Sequence, residues 1–522
     1  MTNRRWQCVI LAILIVALYA TGLGVSSLWD IDEGIYADIA REMTIRHDYL
    51  TPYFNYEPRF DKPPLIYWVT AGFYNLFGVN EITTRLGSAI FALLTIFLLG
   101  LGAKRILSME GGEYIAAVLA TSLGLFLQAR IGLTDTALTF FLTVSLMAFY
   151  QGWRGNDRRF YLMSGAAVGL GILTKGPVAL ILFGLVVLFF LGRHLLREFS
   201  SPYTWLALAI AILIAAPWHI IMTFRHGGAF WSSYFGYHMF TRFTTGIESH
   251  GFPWYYYLPV LFFTFLPWIP FALPALLRVR RIDRREPERF LAVWFLTIFL
   301  FFSIARTKLP GYILPVLPAL AALVGSYLSG LHGQSSRVAA RVRVLAVAGL
   351  SCMALLLLLG LLLIKPQVPV EYQQVYVLLF FFPAVTCLGA ILLYVTGRGC
   401  AATARGIASV IAGVFYVCLL VFTFTVAPAM EADKPIKPLA LAAREGGTVF
   451  KIASYLREDA SAVFYTGGKV IFLNDDSQLK ALLTGRQRVR ALVYPYQLQR
   501  IGLADRVSVI ARHGQALLVQ TN

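Results

Sequence analysis

The sequence predicts a polytopic α-helical membrane protein of about thirteen spans, closed by a small α/β domain outside the membrane. Three observations carry that expectation. The 522 residues are 58% hydrophobic and only 14% charged, with a mean hydropathy of +0.67, well above a soluble chain. Apolar stretches long enough to cross a bilayer recur along the chain. Arg and Lys concentrate in alternate loops, as membrane topology requires.

The first apolar run, roughly Cys8 to Leu28, follows Arg4 and Arg5. It is long for a signal peptide and has no clear small-x-small site before Trp29, so it reads as a retained span with a cytoplasmic N-terminus. Further spans are expected near 84–103, 113–130, 133–151, 160–174, 177–192, 204–224, 255–277, 290–305, 310–329, 344–364, 375–396 and 406–427. The hairpin over 160–192 is short, which suits a tilted or partly re-entrant pair. The expected cytoplasmic loops hold Lys104 and Arg105; Arg154, Arg158 and Arg159; Arg193 and Arg197; Arg278 to Arg289; Arg337, Arg341 and Arg343; and Arg398 and Arg405. An odd number of spans then puts the C-terminus outside.

The outer face carries three substantial segments. Two are the loops 29–83 and 225–254, which belong with a transmembrane unit over 1–429; the third is the tail, 430–522. In the tail, β-rich runs (Ala462–Tyr465, Val470–Leu473, Val489–Val493, Val507–Ile510, Ala516–Val519) alternate with helical patterns near 449–458 and 477–484, which predicts an α/β domain. The net charge of +18 is spread over membrane loops, so it reads as topology and anionic-lipid contact, with no nucleic-acid partner. Cys8, Cys352, Cys387, Cys400 and Cys418 lie in or beside apolar runs without metal-ligand spacing, which argues against disulfides and a cysteine zinc site.

Reactive side chains collect on the same outer face. Asp30, Asp32 and Glu33 leave the mouth of the first span, where they suit either a solvated helix end or a site carboxylate. Asp61-Lys62-Pro63-Pro64 sets an acid and a base before a rigid double proline; an interfacial lysine in an aromatic belt is the plainer reading. Asp135, in Leu133-Thr134-Asp135-Thr136, also suits a helix N-cap. Lys175, before Gly176-Pro177, can snorkel or bind an anion. His238 and Arg242 stand four residues apart among Trp231, Tyr234, Tyr237 and Phe240. Lys308 and Tyr312, in Lys308-Leu309-Pro310-Gly311-Tyr312, suit a phosphate at headgroup level. Several cations and several carboxylates on one face, with aromatics between them, fit an anionic lipid-phosphate substrate and a reaction that needs a carboxylate.

These stretches, together with Asp32-Glu33-Gly34-Ile35-Tyr36-Ala37 and His238-Met239-Phe240-Thr241-Arg242-Phe243, resemble the C-type (GT-C) membrane glycosyltransferases. The resemblance is to the bacterial aminoarabinose transferases that modify lipid A and, more distantly, to the protein O-mannosyltransferases. It implies an inverting glycosyltransferase in the bacterial cytoplasmic membrane with its active site facing the periplasm. The donor is a polyprenyl (undecaprenyl) phosphate sugar, and the acceptor is lipid A or another envelope lipid, glycan or protein. The resemblance implies that Asp32 is catalytic, with Glu33 beside it and Asp135 near the acceptor. It implies that Lys62, Arg242 and Tyr312, with Lys175 and Lys308 close by, hold the donor phosphate. It also implies that Asp61 and His238 can share a divalent metal ion, with no organic cofactor. Two departures stand out: Asp61 where the family often has Glu, and Ile35 where it often has a basic residue. A lipid-linked glycan transporter or flippase would share the spans and the phosphate site, but no ionisable residue lies deep in an expected span and no internal repeat is evident.

Overall fold

The structure is a computed structural model that describes residues 2–29, 31–241, 252–279, 287–331, 336–365, 373–395, 404–432, 434–445, 450–456 and 459–521. Asp30 and Arg242 lie outside the described residues, as does the side chain of His238.

Helix α1 (Thr2–Ala20) stops eight residues short of the expected Leu28. The cause is local. Gly22 adopts φ +73, and a Cβ there would stand 2.1 Å from the Thr423 methyl; the carbonyls of Leu23, Ser26 and Ser27 then turn to Arg85 instead of continuing a helix. The outer segment follows with α2 (Asp32–Arg46). Next come the two-stranded hairpin β1 (Tyr53–Phe54) and β2 (Glu57–Pro58), turning at Asn55 and Tyr56, both at positive φ. Helix α3 (Leu65–Phe77) starts immediately after Pro63-Pro64.

The described residues hold eight helices long and apolar enough to cross a membrane, or nine if the bent pair Trp254–Thr264 and Ile269–Arg278, at 111°, makes one span. That is fewer than the about thirteen read from hydropathy alone. The shortfall has physical reasons. The stretch 113–130 is divided into α5 (Gly112–Ala120) and α6 (Leu123–Gln128), after α4 (Glu81–Arg105). The break in 113–130 docks on the break in the bent pair: Trp268 Nε1 donates to Thr121 Oγ1 at 2.9 Å and Leu123 N to Leu266 O at 3.1 Å. Helix α7 (Asp135–Arg154) has the length of a span but is rich in threonine and polar at both ends. Helix α8 (Phe160–Lys175), like α1 and α3, is apolar but short.

The tail forms a five-stranded sheet in the order β4-β3-β5-β7-β6. Its strands are β3 (Lys451–Ser454), β4 (Val470–Phe472), β5 (Val489–Val493), β6 (Val507–His513) and β7 (Ala516–Thr521). Strand β3 pairs in parallel with β4 and β5, while β7 runs antiparallel between β5 and β6. Two expectations are reversed. The region 449–458, read as helical, supplies the interior strand β3, whose last three residues are buried. The run Ala462–Tyr465, read as a strand, lies in a helix over Ser461–Thr466, with every residue buried, that ends at Gly467 in a left-handed conformation. Tertiary packing overrides β propensity here. The tail is also less separate than a linked domain. Ile35, Ile39 and Met43 of α2 share one core with Leu439, Val463 and Phe464 of the tail.

Candidate active site

The site is built where helix ends meet. Asp32 is the first residue of α2 and is half-buried; Asp135 is the first residue of α7. In both first turns, unsatisfied backbone N–H groups accommodate negative charge. Lys175 is the last residue of α8. Asp61 and Lys62 sit in the turn held rigid by Pro63-Pro64 ahead of α3.

Asp32, Asp61 and Asp135 come from three parts of the chain and act together on Tyr36, and the first two also on Tyr67. Tyr36, one turn beyond Asp32, packs edge-on against Tyr67 of α3 with ring centroids 5.4 Å apart. Burial pushes the Tyr36 hydroxyl well above its ordinary range, and the fields of Asp32, Asp61 and Asp135 push the same way. Burial does the same to Tyr67, reinforced by Asp61 and Asp32 and opposed by Arg59. Both tyrosines are therefore neutral O–H groups set among carboxylates. The Tyr67 hydroxyl is buried without a hydrogen-bond partner among the described residues. Neither tyrosine was picked out from sequence; their signal was spacing, Tyr36 at i+4 from Asp32 and Tyr67 just beyond the double proline.

The second half of the site centres on Asp135. Lys175 Nζ donates to Asp135 Oδ1 at 2.6 Å and lies 4.4 Å from the centroid of the Tyr312 ring. Tyr312 belongs to a 3-10 turn over Pro310–Val316, anchored where the Tyr257 hydroxyl donates to Leu309 O at 3.0 Å. Gly311 is fixed by crowding: a Cβ there would lie 3.1 Å from Gln128 Nε2 and 3.3 Å from the Asp135 carboxyl carbon. Gln128, whose buried Oε1 has no hydrogen-bond partner among the described residues, is a further neighbour that no motif flagged.

Two expected site residues turn away. Glu33, fully buried, accepts from Arg85 Nε at 2.8 Å and Nη2 at 2.9 Å, from Trp29 N at 2.6 Å and from Gly132 N at 2.7 Å. Arg85 spends its remaining N–H groups on the carbonyls of Leu23, Ser26 and Ser27. This bidentate knot ties the exit of α1, the start of α2 and the loop before α7 to a membrane helix. Lys308 is buried and donates to Ala305 O and, at 3.1 Å, to Phe252 O. It closes the end of the helix over Pro287–Ile304, a common use of a cation at a helix C-terminus.

The metal implied by Asp61 and His238 has to fit the donors present. Asp61 is paired with Arg59 Nε at 2.5 Å, and among the described residues no group of three or more His, Cys, Asp or Glu side chains could hold an ion. The His238 side chain lies outside the described residues, and the Asp61 carboxylate is held by Arg59. Lys62 Nζ donates to Asp61 O at 3.1 Å.

The outer segments are tied together. Asp48 receives Arg225 Nη1 at 3.2 Å, Thr51 Oγ1 lies 3.1 Å from His226 Nε2, and Trp218 Nε1 donates to Leu50 O at 2.9 Å. The loop around Asp48 thereby rests on the helix that leads toward His238.

Comparison with known proteins agrees with this architecture. Residues 61–221 match the dolichyl-phosphate-mannose-protein mannosyltransferase family. The chain is 34% identical over 394 residues to the undecaprenyl phosphate-alpha-4-amino-4-deoxy-L-arabinose arabinosyl transferase of Pseudomonas aeruginosa (strain LESB58), covering 74% of this chain and 71% of that protein. A similarly named transferase of Edwardsiella ictaluri is 32% identical over 360 residues, covering 67% of this chain and 64% of that protein. The crystal structure of ArnT from Cupriavidus metallidurans bound to undecaprenyl phosphate superposes with a TM-score of 0.81 at 25% identity, covering 98% of both chains. The arabinosyltransferase EmbB of Mycobacterium smegmatis shares the fold more loosely, with a TM-score of 0.50 at 18% identity over 89% of this chain and 43% of that one. The chain is a multi-pass membrane glycosyltransferase, and it belongs to the family of undecaprenyl phosphate aminoarabinose arabinosyl transferases.

Proposed function

We propose that this enzyme moves a sugar from an undecaprenyl phosphate donor to an acceptor at the periplasmic face of the bacterial cytoplasmic membrane, with lipid A or another envelope lipid or glycan as acceptor. The observation that carries this reading is the gathering of Asp32, Asp61 and Asp135 around Tyr36, beside the Lys175–Tyr312 cation–π contact. Three carboxylates and a lysine from four chain segments, with Tyr312 from a fifth, come together there. The match to an ArnT bound to undecaprenyl phosphate supports the donor class.

The chemistry is a direct displacement. The acceptor oxygen attacks the anomeric carbon, the bond from that carbon to the phosphate oxygen breaks, and undecaprenyl phosphate leaves with the electron pair. The configuration at the sugar carbon inverts. Lys62, Tyr312 and, from the sequence resemblance, Arg242 take the role of neutralising the developing phosphate charge, as preorganised cations and dipoles do best away from water. Asp32 takes the proton of a hydroxyl acceptor, or orients an acceptor that is already ionised. Asp135, paired with Lys175, borders the acceptor side. Glu33 and Lys308 hold the frame and leave the reacting set, because their polar atoms are committed to Arg85 and to helix-end carbonyls.

The match of 61–221 to a protein mannosyltransferase family favours one other acceptor class, a protein hydroxyl. The test is to incubate the purified enzyme with undecaprenyl phosphate sugars and lipid A, other envelope glycolipids or a Ser/Thr peptide, following release of undecaprenyl phosphate. Release that needs lipid A and is lost in Asp32→Asn supports the proposal. Release driven by the peptide alone moves the acceptor to protein, and no release with any donor overturns the reading.

A further inference from the structure

We infer that the C-terminal domain acts on the reaction by positioning Asp32: through Ser461 and Tyr465 it fixes the start of α2. The inference rests on the role proposed above for Asp32.

Helix α2 is clamped from two sides. Below, Glu33 is knotted to Arg85. Above, the tail helix over Ser461–Thr466 lies so close that a Cβ on Gly34 would stand 2.7 Å from Ser461 N and 2.8 Å from Ser461 Cα. Those are backbone atoms, which cannot rotate aside. Gly34 is two residues from Asp32, and the absence of its side chain sets how closely the tail seats on the helix.

Tyr465 supplies the directional contact. Its hydroxyl accepts from Leu28 N at 2.8 Å and donates to Glu81 Oε1 at 3.1 Å. One group of the tail thereby fixes the strand of chain entering α2 and the first residue of a membrane helix. Further along α2, Arg41 Nη1 donates to Gly467 O at 3.2 Å. Beside it, Asn55 exchanges two hydrogen bonds with the backbone of Val470, at 2.8 and 2.9 Å. These contacts run to Leu28, Gly34, Arg41, Asn55 and Glu81. The clamp acts on the element that carries the carboxylate.

Such a device separates chemistry from donor binding. Displacing a catalytic group by about 1 Å can cost on the order of a hundredfold in rate while leaving a remote binding site intact. Gly34→Ala forces a shift of that kind; Tyr465→Phe loosens the entry to α2 without adding bulk, and it is the milder change if the first variant folds poorly.

The experiment uses the full-length enzyme in detergent. It measures kcat at saturating donor, the Kd for undecaprenyl phosphate and the thermal midpoint. Arg500→Ala, which breaks an exposed ion pair with Asp476 on the far side of the tail, is the control for general loosening of the domain. The expected result for Gly34→Ala is a kcat lowered by about tenfold or more, and for Tyr465→Phe a smaller loss. In both, the Kd stays near wild type; Arg500→Ala changes neither kcat nor Kd. Near-normal kcat in both variants beside an inactive Asp32→Asn overturns this inference alone. A Kd that worsens in step with kcat also overturns it, because the tail then only holds the site together. Normal turnover in Asp32→Asn overturns the reading of Asp32 and this inference with it.

Discussion

Lys175 and Asp135 are one unit: the ammonium donates to the carboxylate at 2.6 Å, with both side chains about nine-tenths buried. Sequence placed Asp135 with the acceptor and Lys175 with the phosphate, yet neither charge is independent of the other. Removing one partner leaves the other buried and unpaired, a cost that single mutants share. Lys175→Ala and Asp135→Asn are each expected to lower kcat/KM, and the double variant to lose clearly less than the sum. Additive losses in a double-mutant cycle would show that the pair is not coupled in the working enzyme.

Donor use is expected to fall in Lys62→Ala and Arg242→Ala by more than in Tyr312→Phe. A hydrogen bond to a charged group is worth about 1.5–3 kcal/mol, against about 0.5–1.5 for a neutral one. Titrating undecaprenyl phosphate against each variant checks the order. If Tyr312→Phe weakens binding most, the phenol hydroxyl matters more at the phosphate than either charge, since the ring over Lys175 is kept.

The Glu33–Arg85 knot is expected to appear in stability rather than in turnover chemistry. Arg85→Ala leaves a buried carboxylate and three carbonyls without their donor, and breaking a buried pair on one side typically costs about 3–5 kcal/mol. Glu33→Gln keeps the shape and is expected to cost less. Thermal unfolding in detergent measures both; a midpoint unchanged in Arg85→Ala would refute the structural role.

Acid is expected to weaken the tie between the two outer segments. Burial raises the Asp48 pKa, but the N–H groups of Leu50 and Thr51, together with Arg225, outweigh it and hold the carboxyl below the ordinary aspartate value. A depressed folded-state pKa gives stability that is fully present above the unfolded value and is lost as pH falls through the folded one. The Asp48→Asn variant therefore matches wild-type stability at the acid end and falls below it toward neutral pH. A stability gap that does not depend on pH would rule out the charge as its source.

Topology gives the last test. In a cysteine-free background, a single cysteine at Asn474 is expected to react with an impermeant reagent from outside, and one at Arg341 only from the cytoplasm. Labelling of Asn474 from inside would make the number of crossings even and move the tail to the cytoplasmic side.

Much of the fold was legible because hydropathy and loop charge are local properties. The helices over 287–304 and 310–329 fall within a few residues of their expected bounds. What was hidden depends on contacts between distant residues. The break at Thr121–Ser122 is set by Trp268, and the left-handed turn at Gly22 by Thr423. In the tail, helix and strand traded places because 451–454 is paired on both edges and 461–466 is packed against α2. At the site, motif spacing located Asp32, Asp61, Asp135, Lys175 and Tyr312. It could not separate Asp32 from Glu33, since adjacent carboxylates look alike until one of them meets Arg85.

The hydrogen bond from Leu28 N to Tyr465 joins residues 437 positions apart, and it sets an order of assembly. As the chain emerges from the ribosome, α2 is made early, but its entry cannot be fixed until Arg85 has followed on the next membrane helix and Tyr465 has followed on the tail. A nascent chain that has inserted every membrane span still lacks this final contact. The reactive end of α2 can thus take its working place only after Tyr465 has been made, so that a half-made enzyme in the membrane holds no finished site with which to spend lipid-linked sugar.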